Sequence, residues 1–272
     1  MVAQVAFAKA PAACALSLYV AWLLVGSTGL SAQAPPDPHT AQPERPTVAT
    51  HAGTVAPGWV EIEAGAEFDR YDDRTRGGAM PVVAKIGVAP SAQLSIFGAA
   101  VQSVGAGTGI GDLGVSIKWR LADAPVLGRF AVFPSLKIPT GSAATGTGTD
   151  TTDVGLLLIS SHALGPVALD LNIGYTRRSG TGLTAPRDAT VWTVSFGGPA
   201  AGRLGWVAEL YGYPKTSGPT GADSTVALLA GPTVQVRPWL VFDTGMIVPV
   251  TGPQPHALYA GTVYNIGRVW RR

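Results

Sequence analysis

The stretch GIGDLGVSIKWRL, residues 109–121, alternates with a period of two. Asp112, Gly114, Ser116, Lys118 and Arg120 form one set, and Leu113, Val115, Ile117, Trp119 and Leu121 form the other. Successive side chains of a strand point to opposite faces, so this segment is a strand with one wet and one apolar face. The same texture recurs along most of the chain. WVEIEAGAEFDRY (59–71) sets Val60, Ile62, Ala64, Ala66 and Phe68 against Glu61, Glu63, Glu67 and Asp69. PVVAKIGVA (81–89) and QLSIFGAAV (93–101) follow. RFAVFPSLKIP (129–139) sets Phe130, Val132, Leu136 and Ile138 against Arg129, Ser135 and Lys137. VALDLNIGYTR (167–177) sets Leu169, Leu171, Ile173 and Tyr175 against Asp170, Asn172 and Thr176. Less regular strands are expected at 152–162, 189–198, 204–213, 224–236, 239–249 and 256–270. The total is about twelve, each roughly nine to thirteen residues long.

Alternation alone leaves the apolar face facing either a protein core or lipid. The connections decide between them. Those around Pro90, in ADAPVLG, HALGP and GPAAG, and at Arg237-Pro238 are short. They alternate with DDRTRGGAM, TGSAATGTGTDTT, RSGTGLTAPRDA and PKTSGPTGADS, which are longer, and with the more compact SVGAGTG and TGPQPH. A soluble sandwich has no reason to sort its loops this way, whereas an up-and-down membrane barrel has tight turns at one rim and long loops at the other. The strands also have the roughly 9–11 residues that a tilted strand needs to cross a bilayer.

Composition agrees. Charged residues make up 13% of the chain and hydrophobic residues 46%, against a charged fraction of about a quarter in soluble domains. Gly (35) and Pro (22) are abundant, which favours strands and turns over helices. A net charge of +2 gives no reason to expect a nucleic-acid partner. At the N-terminus, Lys9 precedes the apolar run APAACALSLYVAWLLVG and then Ala32-Gln33-Ala34. This is the layout of a secretory signal cleaved after Ala34. The only cysteine, Cys14, lies within it, so the mature chain forms no disulfide.

The sequence thus predicts an all-β fold, a transmembrane up-and-down antiparallel β-barrel with short periplasmic turns and longer outer loops, exported to the cell outer membrane. The domains are a signal at 1–34, a Pro-rich leader at 35–57 and a barrel at 58–272. Lipid offers no hydrogen-bond partners, so the sheet closes on itself, with apolar side chains outward and ions inward. Trp59, Trp119, Trp206, Trp239 and Trp270 lie near expected strand ends, where an interfacial girdle belongs.

GIGDLGVSIKWRL followed by FAVFPSLKIPTGSA resembles the signature of the outer-membrane family labelled "MetA-pathway of phenol degradation". ERPTVATHAGTVAPGWVEIEAG is similar to the N-terminal pattern of that family, with an R-P segment before a P-G turn and the first strand. The match covers most of residues 44–177. The chain end departs from the aromatic finish common in barrels, since Arg271 and Arg272 follow Trp270. The resemblance implies an outer-membrane barrel that passes small hydrophobic or aromatic molecules.

The expected lumen-lining residues are Glu61, Glu63, Glu67, Asp69, Lys85, Asp112, Ser116, Lys118, Arg120, Arg129, Lys137, Asp170, Asn172, Glu209 and Asp243. They either line a passage or fill the interior as a hydrogen-bonded plug. The acidic row Glu61, Glu63 and Glu67 and the basic row Lys118, Arg120, Arg129 and Lys137 favour pairing with each other. The leader is either a tether or a lumen plug. GAGTGIGD (105–112) has no helix after it to make a phosphate site, and TGTGTDTTD (145–153) lacks the bidentate Glu of a calcium loop. Ser160, Ser161 and His162 alternate faces, and no G-x-S-x-G elbow is present, so no catalytic residue, metal or cofactor is assigned. The expected partners are the lipid bilayer, the barrel-assembly machinery and an unidentified small solute, with no nucleic acid. A structural barrel with a filled lumen is the other reading.

Overall fold

The computed structural model describes residues 37–71, 74–105, 107–183 and 185–270. The expected signal segment, with Cys14, lies outside them. Thirteen strands form one antiparallel sheet: β1 (Trp59–Arg70), β2 (Arg76–Ala89), β3 (Ala92–Val104), β4 (Gly107–Gly109), β5 (Leu113–Ala124), β6 (Gly128–Ile138), β7 (Asp153–Leu164), β8 (Val167–Arg178), β9 (Asp188–Ala201), β10 (Leu204–Tyr213), β11 (Thr225–Arg237), β12 (Leu240–Thr251) and β13 (His256–Arg268). Each long strand pairs with its neighbour in the chain, and β1 pairs with β13 along its whole length. The sheet is therefore a closed twelve-strand barrel, with the short β4 added beside the end of β3. Closure leaves no exposed edge, as a bilayer requires.

The strand faces follow the alternation. On β5, Gly114, Ser116 and Lys118 are buried inside, while Val115, Ile117, Trp119 and Leu121 are exposed outside. Lys118 has no exposed surface, whereas Trp119 is 54% exposed. A soluble protein would reverse that order. The outer face is the one that meets lipid, so Val115→Arg places a charge in the bilayer. It is expected to destabilise the barrel by about 2–4 kcal/mol, read from denaturant unfolding in vesicles. The same substitution at the exposed loop residue Ser217 is expected to cost almost nothing.

Several strand boundaries differ from expectation. β5 begins at Leu113 rather than 109 and ends at Ala124, and β9 runs on to Ala201. β2 begins at Arg76 rather than near residue 81, and β3 runs on to Val104. Gly77, Gly78, Ser103 and Val104 carry the pairing there, and small residues give little periodic signal. The turns at 165–166 and 202–203 are two residues long, and Gly165 (φ 65°) and Gly202 (φ 58°) supply their left-handed backbone. Trp59, Trp119, Trp206, Trp239 and Trp270 all lie at the rim of the short turns. Tyr175 and Tyr213 are half-exposed at the rim of the long loops.

Candidate functional site

The leader, residues 37–58, has no strand or helix of its own. Its backbone amides still need partners. Inward-facing side chains around the barrel supply them. His39 lies at the short-turn rim between Trp59 and Trp239, with ring centroids 4.9 and 5.8 Å away, and its Nε2 meets the Asn265 carbonyl at 2.9 Å. The chain then climbs β1. Gln42 N–H donates to Glu61 (2.7 Å) and Glu44 N–H to Glu63 (2.8 Å).

At mid-barrel the leader crosses the lumen. Arg45 pairs with Asp243 on β12 at 3.1 Å. Its guanidinium lies against Gly65 and Gly261, which are cross-strand partners on β1 and β13. A methyl group at either would overlap the guanidinium, so this glycine pair is the notch that seats it. Beyond the turn at Pro46, the amides of Val48 and Ala49 donate to the Glu209 carboxylate on β10 (2.8 and 2.6 Å). Thr50 and Asn172 on β8 exchange two hydrogen bonds, 2.7 and 2.9 Å long. Ala52 N–H donates to Ser161 on β7 (2.8 Å) and Val55 N–H to Gln93 on β3 (3.0 Å). Pro57 bridges to Gly87 on β2, and the chain leaves by the rim where it came in.

Two lysines hold this path. Lys85 Nζ is 2.6 Å from Glu61, 2.5 Å from Glu63 and 2.6 Å from the Gln42 carbonyl. Lys118 Nζ is 2.5 Å from Glu44, 3.2 Å from Thr50 Oγ1, and 2.9 and 3.0 Å from the carbonyls of His51 and Gly53. Ala52 packs into an apolar patch with Ala131, Ile159 and Phe133.

A second cluster lies at the long-loop rim. Lys137 contacts Asp112 (2.5 Å), Asp153 (3.2 Å) and Thr149, and Arg178 reaches Asp153 at 3.3 Å. Asp112 also accepts from the amides of Gly141 and Thr149, both at 3.1 Å. Burial works against the Asp112 charge, but hydrogen bonds from Lys137, Thr149 and Gly141 hold its carboxyl below the usual range. This cluster ties the 139–152 loop to the rim beside β5 and β7, with Thr147 and Thr151 buried.

The expected site residues therefore divide. Glu61, Glu63, Lys85, Lys118, Asn172, Glu209 and Asp243 are buried and bind the leader or its anchors. Asp112 and Lys137 hold a loop. Asp170 is bound by Ser161, which also holds the leader. Ser116 is buried in an inward row with Ser95 and Ser135. Glu67 stands opposite Tyr259 and Asp69 opposite Ala257, between mid-barrel and the long-loop rim. Arg120 donates to the Pro90 carbonyl at the short-turn rim, and Arg129 pairs with Asp123 where both are exposed. The acidic and basic rows do not pair with each other among the described residues. Lys85 neutralises Glu61 and Glu63, and the acid facing Lys118 is Glu44 of the leader.

Gln93, Ser161, Asn265 and the leader's Glu44, Arg45 and Thr50 were not expected at the site. Gln93 occupies a polar position of its strand, which is the one sequence signal it offers. Toward the long-loop rim the inner wall of β10–β13 is apolar, with Tyr211, Leu229, Ile247 and Tyr259 packed together. Ser160 and His162 do share a face, 2.9 Å apart, while Ser161 points the other way to Asp170. No carboxylate among the described residues pairs with or hydrogen-bonds His162, so the two make no triad.

No protein-family model matches the chain, and no curated protein does. Solved structures do match in fold. An outer-membrane channel of the COG4313 group from Pseudomonas putida F1 superposes with a TM-score of 0.60 at 12% identity, over 78% of this chain and 97% of that one. The KdgM porin, solved in complex with disordered oligogalacturonate, gives 0.53 at 12% identity over 76% of this chain and 99% of its own. The NanC porin gives 0.53 at 8% identity over 76% and 98%. The chain thus has the fold of bacterial outer-membrane barrels.

Proposed function

We propose that this chain is a gated outer-membrane channel for small solutes and that the leader is its gate. The observation that carries this reading is how the leader is held. It crosses the lumen on hydrogen bonds and ion pairs to side chains, and its backbone bonds to the wall lie at the short-turn rim, from Ala41 to the Pro238 carbonyl and at Pro57 and Gly58. Such contacts can be exchanged for water without opening the barrel wall. The lumen residues assigned above then meet the solute when the leader moves. The resemblance in sequence favours small hydrophobic or aromatic solutes, and the apolar wall of Tyr211, Leu229, Ile247 and Tyr259 suits them. A second reading, a structural barrel with a permanently filled lumen, draws on the full burial of Lys85 and Lys118.

A reversible tether separates the two. Ala52 and Ser161 are adjacent across the lumen, so cysteines at both positions can lock the leader to β7. Uptake of a small aromatic solute into vesicles is expected to fall to background when the pair is oxidised and to return on reduction. Uptake that ignores the redox state sinks the gate. A barrel that admits nothing in either state is the filled one.

A further inference from the structure

A cationic row sits on the outer wall, at the rim of the long loops. Arg70 on β1 stands directly opposite Arg76 on β2 and opposite His256 on β13. All three are exposed, and by strand parity they share the lipid-facing side with Phe68, Met246 and Leu258. Arg74 lies at the turn between β1 and β2, held by the backbone bonds Arg74 N to Tyr71 O and Tyr71 N to Thr75 O, each 3.0 Å. Like charges directly opposite on neighbouring strands repel. No carboxylate among the described residues pairs with Arg70, Arg74 or Arg76, and Asp69 next to them faces inward. The same loop contains Asp72 and Asp73 in sequence, outside the described residues.

Two hollows meet at this row. One, of about 490 Å³, is lined by Arg70, Tyr71, Arg74 and His256. The other, of about 370 Å³, runs below it along the barrel wall, where Phe68, Met246, Val248 and Leu258 lie under Arg70, Arg76 and His256. A headgroup site thus sits directly above an apolar trough. Long loops mark the outer side of such a barrel, so the row lies at the headgroup level of the outer leaflet.

We propose that this row and trough bind one phosphorylated lipid of the outer leaflet, its phosphate between Arg70 and Arg76 and an acyl chain along Phe68, Met246 and Leu258. A phosphate accepts charge-assisted, bidentate hydrogen bonds from two guanidinium groups and turns their repulsion into attraction. The site lies on the opposite face of the wall from the lumen and does not depend on the channel reading.

Native mass spectrometry of the full chain in detergent, with bisphosphorylated lipid A as the probe, tests it. One lipid is expected to stay bound. Lipid stripped of its phosphates, and the Arg70→Gln/Arg76→Gln double variant, are each expected to bind weaker by about tenfold or more. Arg177→Gln, which removes a rim arginine already paired with Asp188, is expected to change nothing. Inorganic phosphate at the lipid's concentration is expected not to displace it, because it cannot use the trough. Equal retention of the dephosphorylated lipid by the unaltered chain overturns the proposal without recourse to any variant. So does displacement by inorganic phosphate, or equal retention by a double variant that still shows heat-modifiable gel migration.

Discussion

Deletion of residues 37–57 is expected to raise single-channel conductance on the order of tenfold or more, since a twelve-strand barrel lies between those filled by side chains and open porins. The full chain spans its lumen with a segment whose amides are held by Glu61, Glu63, Glu209, Asn172, Ser161 and Gln93. Without it these groups lose their partners but gain water, so they are not stranded in a dry interior. The wall keeps its own hydrogen bonds, and the deletion barrel is expected to fold and resist SDS until heated. Planar-bilayer recordings of both forms measure the difference. Equal conductance of the two forms refutes the assignment of the leader as the barrier.

Lys118→Met is expected to have the next largest effect. Lys118 is fully buried and joins Glu44, Thr50, His51 and Gly53, so one ammonium ties both arms of the leader to β5. Removing it leaves Glu44 largely buried, with the Gln93 amide at 3.0 Å and Lys85 3.8 Å away. Breaking a buried pair on one side costs about 3–5 kcal/mol. Local release of the leader relieves that penalty, whereas unfolding the barrel is not needed to do so. The expected result is a folded barrel whose leader is cut by added protease between residues 37 and 57 while the strands stay intact. Lys118→Arg keeps the charge and is expected to restore much of the protection. A variant leader as resistant as the original one defeats the claim that Lys118 is its anchor.

The barrel itself was legible in the sequence because its rules are local. The alternation at Leu113, Val115 and Ile117 fixes which face is apolar, and the short and long connections fix the two rims. The inward position of Glu61, Lys85, Lys118 and Glu209 follows from the same parity. What those residues hold could not be read. The leader has no periodicity, and a carboxylate that accepts a backbone amide carries the same letter as one that lines a passage. Glu209 and Val48 are far apart in the chain and meet only in the closed barrel. The acidic and basic rows suggested partners in the wall, but the nearest cation to Glu61 is its own cross-strand neighbour Lys85. Lys118 instead took its partner, Glu44, from the leader, which the sequence left open as tether or plug.

The leader's binding groups are spread over β1, β2, β3, β5, β7, β8, β10, β12 and β13. Asp243 and Asn265 come from the last two strands made, and the Arg45 notch is completed by Gly261. The leader is translated before any of them. Its seat therefore does not exist until the final hairpin has joined the first strand, and its docking is a late step of biogenesis. A seated leader reports that the seam between β1 and β13 has closed in register, so protection of residues 37–57 dates completed assembly in a way that strand content cannot.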